Sequence, residues 1–191
     1  SVTGSATSDV LVGHQVMPSL TFAGGKLMLI YYDLRETKAA RFEHLIRTLE
    51  SQGLLDRGIE QTLLPMTQPA GVSTLSYSSL ALGLLTGKIS AARAFTGDDQ
   101  RAANPRFSPE NRQHAASFAQ AMLPLADKHG ASVAQLVIAW TLNQPGVTFA
   151  LCGARDPVQA LDNAQAARLR LDAADLAQIE AARVTHLAAI P

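Results

Sequence analysis

Tyr77 and Ser78 close a short apolar run, Val72 to Ser78, and a Gly-containing turn, Ser79 to Gly83, follows. An aromatic ring at the C-terminal end of a strand can stack on a flat heterocycle, and the backbone amides beyond it can meet a phosphate. The same residues also suit a core tyrosine and an ordinary strand-to-helix turn. Further along, Gly153-Ala154-Arg155 follows a second apolar run, Val147 to Leu151, and opens a helix bearing Gln159 and Asn163 one turn apart. Glycine lets a ligand approach the backbone closely. A helix N-terminus favours an anion, and an arginine beside it grips a phosphate monoester through two parallel donors. Alone, this segment is equally a solvated helix start with a surface arginine.

Other chemistries find less support. Neither a G-x-S-x-G elbow nor an S-x-x-K pair occurs. His14, His44, His114, His129 and His186 lack metal-ligand spacing with Cys152 or with one another, so no metal site is expected. Cys152 on a buried strand reads as inert packing. A hydrolytic site assembled by the fold from distant Ser, His and Asp is an alternative that motifs do not address.

The elements that must position these residues follow from pattern. Two apolar runs around Gly24-Gly25, Gln15–Ala23 and Lys26–Asp33, predict an antiparallel β-hairpin, because both turn residues can take positive φ without a Cβ penalty. Pro18 suits an edge position there. Phe42, Leu45, Ile46 and Leu49 share one helical face, predicting a helix from Lys38 to about Glu50. Ile59 to Met66 reads as a helix, Val72 to Ser78 as a strand, and Leu80 to Thr86 as a turn into a short helix. Thr96 to Phe107 is a loop. Ser108-Pro109 starts a helix that runs to about His129, and Ser132 with Gln135 makes a capping box for the next, which continues to Asn143. Val147 to Leu151 is a second strand. Pro157 to Ala166 is helical, and Asp172 caps a last helix through Arg183.

The 191 residues carry 16 basic and 16 acidic side chains, and no basic block interleaves with aromatics. That balance argues against nucleic acid or an anionic membrane as the main partner. The single Cys152 fits a reducing compartment. No stretch approaches the ~18 apolar residues of a spanning helix, and Ser1 to Val12 shows no signal-peptide pattern. A soluble cytoplasmic protein is the expectation.

Taken together and in this order, the two segments resemble the cofactor-binding portion of an aldo-keto reductase. The stretches around them resemble the family too: Leu54-Leu55-Asp56-Arg57-Gly58-Ile59-Glu60, Asn104-Pro105-Arg106-Phe107-Ser108-Pro109, Ala139-Trp140-Thr141-Leu142 and Leu171-Asp172-Ala173-Ala174-Asp175-Leu176. The likeness spans about residues 52–183 and corresponds to the last three βα units of a (β/α)₈ barrel. It implies NADP(H) as cofactor. By it, Gln52 would touch the carboxamide and Tyr77 would stack on the nicotinamide. Ser78, Leu80 and Gly83 would border the pyrophosphate. Gly153 and Arg155 would hold the adenosine 2′-phosphate, and Gln159 and Asn163 would reach the adenine.

There are departures from the family pattern. Ser79 and Cys152 stand where the family usually has proline, and Leu82 where it often has a basic residue, which implies weaker phosphate affinity. The family's reductive chemistry needs a Tyr acid with Lys, Asp and His partners. Tyr31 and Tyr32 precede Asp33 in the hairpin, in the wrong order, and no such set can be carried over, so the catalytic residues are unknown. The first forty residues weakly resemble one hairpin of a sialidase-type (BNR) propeller blade.

The resulting expectation is an α/β protein: a partial barrel over 51–191 joined to an N-terminal β-hairpin and linking helix over 1–50. It is expected to bind NADP(H), with carbonyl reduction doubtful. The alternative is a non-catalytic structural or nucleotide-binding protein. Unpaired edges of a partial barrel predict a homo-oligomer.

Overall fold

The computed structural model describes residues 52–69, 74–97 and 99–191, together with the backbone of two strands, β1 (Gln15–Ala23) and β2 (Lys26–Asp33). Along the rest of the chain come α1 (Leu64–Thr67), β3 (Leu75–Ser76), α2 (Pro109–Lys128), α3 (Val133–Leu142), β4 (Phe149–Ala150), α4 (Pro157–Gln165) and α5 (Ala173–His186). Short 3₁₀ turns stand at Gly58–Glu60, Ala81–Thr86, Pro105–Phe107 and Ala166–Arg168.

The helix starts are set by local side-chain chemistry. Ser108 accepts from the Asn111 N–H at 3.2 Å, with Pro109 in the first turn of α2. Ser132 and Gln135 bond reciprocally at 2.9 and 3.2 Å, the capping box expected for α3. Asp172 and Asp175 form a second box at the head of α5. The helix expected over Ile59 to Met66 is instead a 3₁₀ turn followed by the four-residue α1. Pro65 explains the break, since it has no N–H to bond one turn back and regular helix resumes only with it in a first turn.

The core lies between α2, α3, α5 and the turn after β3. Phe118, Met122 and Leu125 of α2 meet Leu84 and Leu85 of the turn, Leu136, Val137 and Trp140 of α3, and Ile179 of α5. Val133 through Thr141 are all buried, so α3 is enclosed on every side. Apolar burial of this kind contributes about 25 cal/mol per Å², and truncating a wholly buried ring such as Phe118 to Ala costs about 3–5 kcal/mol.

The sheet that positions the site differs from the three βα units expected. Among the described residues it is two-stranded and parallel, with Leu75 opposite Phe149 and Ser76 opposite Ala150. Among the described residues, the segment at Gln52 meets it by one backbone bond. Gln52 N–H donates to the Tyr77 carbonyl at 3.2 Å, and then the chain turns back on itself through Gly53 N–H to the Asp56 carbonyl at 2.9 Å.

The expected fold class, a partial barrel built on three such units with the hairpin added, is corrected accordingly. β1 and β2 pair antiparallel, Ala23 opposite Lys26, as a sheet of their own that lends no strand to β3 and β4. Their register is irregular between Val16 and Ser19, where Pro18 has no N–H to donate. The likeness to a propeller blade finds no structural support, for a blade is a four-stranded sheet and this pair has two strands. The Gly24-Gly25 turn and the helix expected over Lys38 to Glu50 lie outside the described residues.

Candidate functional site

Parallel pairing sends two chain segments out of the sheet at the same end. Leu151 N–H donates to the Ser76 carbonyl at 2.7 Å. Tyr77 therefore leaves β3 beside the point where Leu151, Cys152 and Gly153 leave β4. Leu80 and Cys152 pack on one small cluster of Ile138, Ala150 and Ala166, which ties the two exits together.

The turn after β3 is held in a sparsely populated conformation. Ser78, Ala81 and Leu82 have φ of 63°, 47° and 54°, and Gly83 has φ of 90°. A single left-handed non-glycine residue costs about 1–2 kcal/mol. Three within five residues need compensation, which comes from Ala81 N–H to the Ser78 carbonyl (2.7 Å), Gly83 N–H to the Leu80 carbonyl (2.9 Å) and burial of Leu84 and Leu85. The Tyr77 ring is left 41% exposed beside this turn. Gly53 abuts it closely, for a Cβ there would stand 3.2 Å from the Ser79 Cα and carbonyl oxygen.

The loop after β4 is fastened by the two polar residues of α4. Asn163 Nδ2 donates to the Gly153 carbonyl at 3.2 Å, and Arg155 N–H donates to Gln159 Oε1 at 3.2 Å. Asp156 caps α4 by accepting from Gln159 N–H at 2.8 Å. Gly153 and Arg155 are exposed and the Arg155 guanidinium has no acidic partner among the described residues, whereas Gln159 and Asn163 are half-buried. The base of α4 is anchored from α3: Gln135 Nε2 donates to the Asp162 carbonyl (2.9 Å), Asp162 Oδ1 (2.7 Å) and Gln165 Oε1 (3.2 Å).

Of the nine residues expected at the site, Tyr77, Ser78, Leu80, Gly83, Gly153, Arg155, Gln159 and Asn163 all stand on the two segments that leave the same end of the sheet. Gln52 joins them through its backbone but differs in exposure, being wholly buried. Its Nε2 donates to Glu60 Oε1 at 2.7 Å. A carboxylate can only accept there, which fixes the amide nitrogen at Glu60 and leaves Oε1 as the free end. Gln52 Oε1, Ser76 Oγ and Ser79 Oγ are buried with no hydrogen-bond partner among the described residues.

Glu60 is itself held by Arg57, at 2.7–2.9 Å from Nε and Nη2. Arg57 also bonds Glu180 at 2.8 Å and lies over the Trp140 ring at 5.5 Å. The Glu60 carboxylate, ahead of Glu180, raises the Arg57 pKa above its ordinary value. This support for Gln52 was not anticipated, although Arg57 and Glu60 stand three apart, the spacing of a same-face pair. The left-handed backbone at Ala81 and Leu82 left no sequence signal, since neither residue type favours it.

Cys152 is half-buried, and burial pushes its thiol up to about 12, as befits packing rather than a nucleophile. Among the described residues no group of three or more His, Cys, Asp or Glu is placed to hold a metal ion, and no helix is long and apolar enough to cross a membrane.

The family model described as "Aldo/keto reductase family" matches residues 48–184. The chain is 38% identical over 107 residues to "Aldo-keto reductase YhdN" of Bacillus subtilis, covering 56% of this chain and 32% of that protein. It is 33% identical over 122 residues to "NADH-specific methylglyoxal reductase" of Escherichia coli, covering 64% of this chain and 37% of that protein. Among solved structures it is similar to the glycerol dehydrogenase AKR11B4 from Gluconobacter oxydans, with a TM-score of 0.66 and 30% identity, over 72% of this chain and 42% of that one. The chain thus spans about a third of the length of these curated relatives.

Proposed function

The chain belongs to the aldo/keto reductase family, and from that premise we infer that it binds a nicotinamide dinucleotide across the C-terminal ends of β3 and β4, in the form NADP(H). The observation that supports this reading is the Leu151–Ser76 backbone bond, which brings the exits of β3 and β4 together, one leading to Tyr77 and its strained turn and the other to the loop of Arg155. Tyr77 would stack on the nicotinamide, and Gln52 would offer Oε1 to its carboxamide. Ser78, Leu80 and Gly83 would border the pyrophosphate. Gly153 and Arg155 would take the 2′-phosphate, and Gln159 and Asn163 would exchange their loop contacts for the adenine.

Bound NADPH would supply a hydride for carbonyl reduction. This chain's own residues would bind and orient the dinucleotide, but none is assigned as the proton donor to the acceptor oxygen. We therefore place carbonyl reduction as slow, with nucleotide binding without turnover as the second reading. The parallel sheet has only two strands among the described residues, and just one backbone bond, from Gln52 N–H to the Tyr77 carbonyl, meets the far side of β3. That favours association into a homo-oligomer, which light scattering of the whole chain would reveal.

Fluorescence titration of the whole chain with NADPH and with NADH tests the inference. Tighter binding of NADPH is the expected result. The E. coli relative is named as NADH-specific, so the ratio of the two affinities is the sharper half of the experiment. No binding of either, or equal affinity for both, would overturn the assignment of Arg155 to the 2′-phosphate.

A further inference from the structure

Three guanidinium groups converge on one phenylalanine in the connection from β3 to α2. The Cζ atoms of Arg101, Arg112 and Arg93 stand 4.6, 5.6 and 5.7 Å from the Phe95 ring centroid. Phe95 is fixed in turn by an edge-on contact with Phe107, centroids 5.4 Å apart.

The charges in this cluster are only partly answered. Asp99 is committed to Arg101, through contacts of 2.8 and 3.2 Å from Nε and 2.5 Å from Nη2. Arg106, nearby in sequence, is paired with Asp56 at 2.6 Å. Arg112 is 8% exposed, yet its guanidinium donates only to the backbone carbonyls of Arg93 and Ser108. Arg112 has no carboxylate partner among the described residues, and Glu110 in the same helical turn is exposed. Arg93 likewise bonds no carboxylate among them, though after Arg101 its charge helps lower the Asp99 pKa.

Arg112 is a costly residue for its setting. It is the fourth residue of a 20-residue helix, at the end where the helix dipole is positive. It is buried, and it shares one ring with two like charges. Contact with the ring faces offsets part of this, and an anion would offset the rest. The planar forks of clustered arginines match phosphate oxygens, and a helix N-terminus adds to the same attraction.

We propose that Arg93, Arg101 and Arg112, arranged about Phe95, form a second anion site that takes a phosphate dianion and is separate from the loop bearing Arg155. The site lies in the connection between β3 and α2. It does not depend on the dinucleotide reading. The phosphate is carried either by a small phosphorylated molecule or by the dinucleotide itself.

Calorimetric titration of the whole chain with inorganic phosphate, against chloride at matched ionic strength, tests the proposal. Saturable binding at millimolar concentration is expected. Arg93→Gln and Arg112→Lys should each weaken it roughly tenfold, and a saturable site with the same affinity should persist in Arg155→Ala, whatever phosphate the Arg155 loop itself takes. Arg93 is exposed and makes no side-chain hydrogen bond among the described residues, so its variant keeps the test open if Arg112→Lys fails to fold. Competition between phosphate and NADPH, lost in Arg93→Gln, would support the site with the dinucleotide as the source. Binding unaffected by NADPH would support it with a separate ligand. Absence of saturable binding, or binding lost in Arg155→Ala and retained in Arg93→Gln, would overturn it.

Discussion

Asn163 and Gly153, ten residues apart, are joined by a 3.2 Å hydrogen bond from the side-chain amide of the first to the carbonyl of the second. With the bond from Arg155 N–H to Gln159 Oε1, it folds the start of α4 back over the loop that precedes it. The loop is thus shaped before any ligand arrives, and the side chains that shape it are those proposed to read the ligand's adenine end.

Arg155 should carry the cofactor preference. Arg155→Ala is expected to weaken NADPH by about 1.5–3 kcal/mol, the range for a charged hydrogen bond, while NADH changes little. Protein fluorescence titrated with each dinucleotide reads the difference. A uniform loss for both would mean that Arg155 supports the loop rather than the phosphate.

Carbonyl reduction should be undetectable or very slow. A positioned general acid typically supplies about 10²–10⁴-fold, and no tyrosine, lysine and aspartate set is assigned here. NADPH oxidation followed at its absorbance band with a panel of aldehydes is the measurement. Robust turnover by the pure protein would require a proton donor that sequence and geometry did not suggest.

The turn at Leu82 should respond sharply to substitution. Its φ of 54° disfavours β-branched residues most, so Leu82→Val is expected to cost about 1–2 kcal/mol. Leu82→Gly should be neutral or stabilising by up to about 1 kcal/mol, because relief of the strain is set against the greater freedom of an unfolded glycine. Urea midpoints at unchanged slope would report both.

Acid should unlatch α5 from α2. Asp175 is 2% exposed and bonds Lys128 Nζ at 2.5 Å and His129 Nε2 at 2.8 Å, while its Oδ2 also accepts from the Asp172 N–H. The Lys128 ammonium, first among these, holds its carboxyl down at about 2. A carboxyl lowered on folding stabilises the folded state fully above the ordinary value near ~3.9. That contribution is lost as pH falls toward about 2. Lys128, raised by the same contact, loses its share only in strong alkali. Asp175→Asn should therefore flatten the decline in urea midpoint between pH ~4 and ~2, and a decline as steep as in the parent would place the acid sensitivity elsewhere.

The helix ends were legible because capping is a local matter. Ser108-Pro109, Ser132 with Gln135, and Asp172 each announce a start through side chains that reach no further than the next turn. The helix from Pro157 was legible for the same reason, although the bonds by which Gln159 and Asn163 fasten the loop before it were not foreseen. The strands were not. Val72 to Ser78 and Val147 to Leu151 look longer in the sequence than the two residue pairs seen among the described residues, since pairing depends on what lies alongside. Gln52 shows the limit most plainly: its likeness to a cofactor contact says nothing of Glu60 and Arg57, which bury it and fix which end of its amide is free.

Gln135 closes the head of α3 and at the same time holds the tail of α4 through Asp162 and Gln165. α4 contains no buried residue, whereas α3 is enclosed along almost its whole length. In hydrogen exchange the two helices should accordingly separate into different classes. Amides of α3 would be released only when the whole domain opens, and those of α4 in smaller excursions that begin at Pro157 and halt at Asp162. Local opening of α4 would thus leave the core behind it undisturbed.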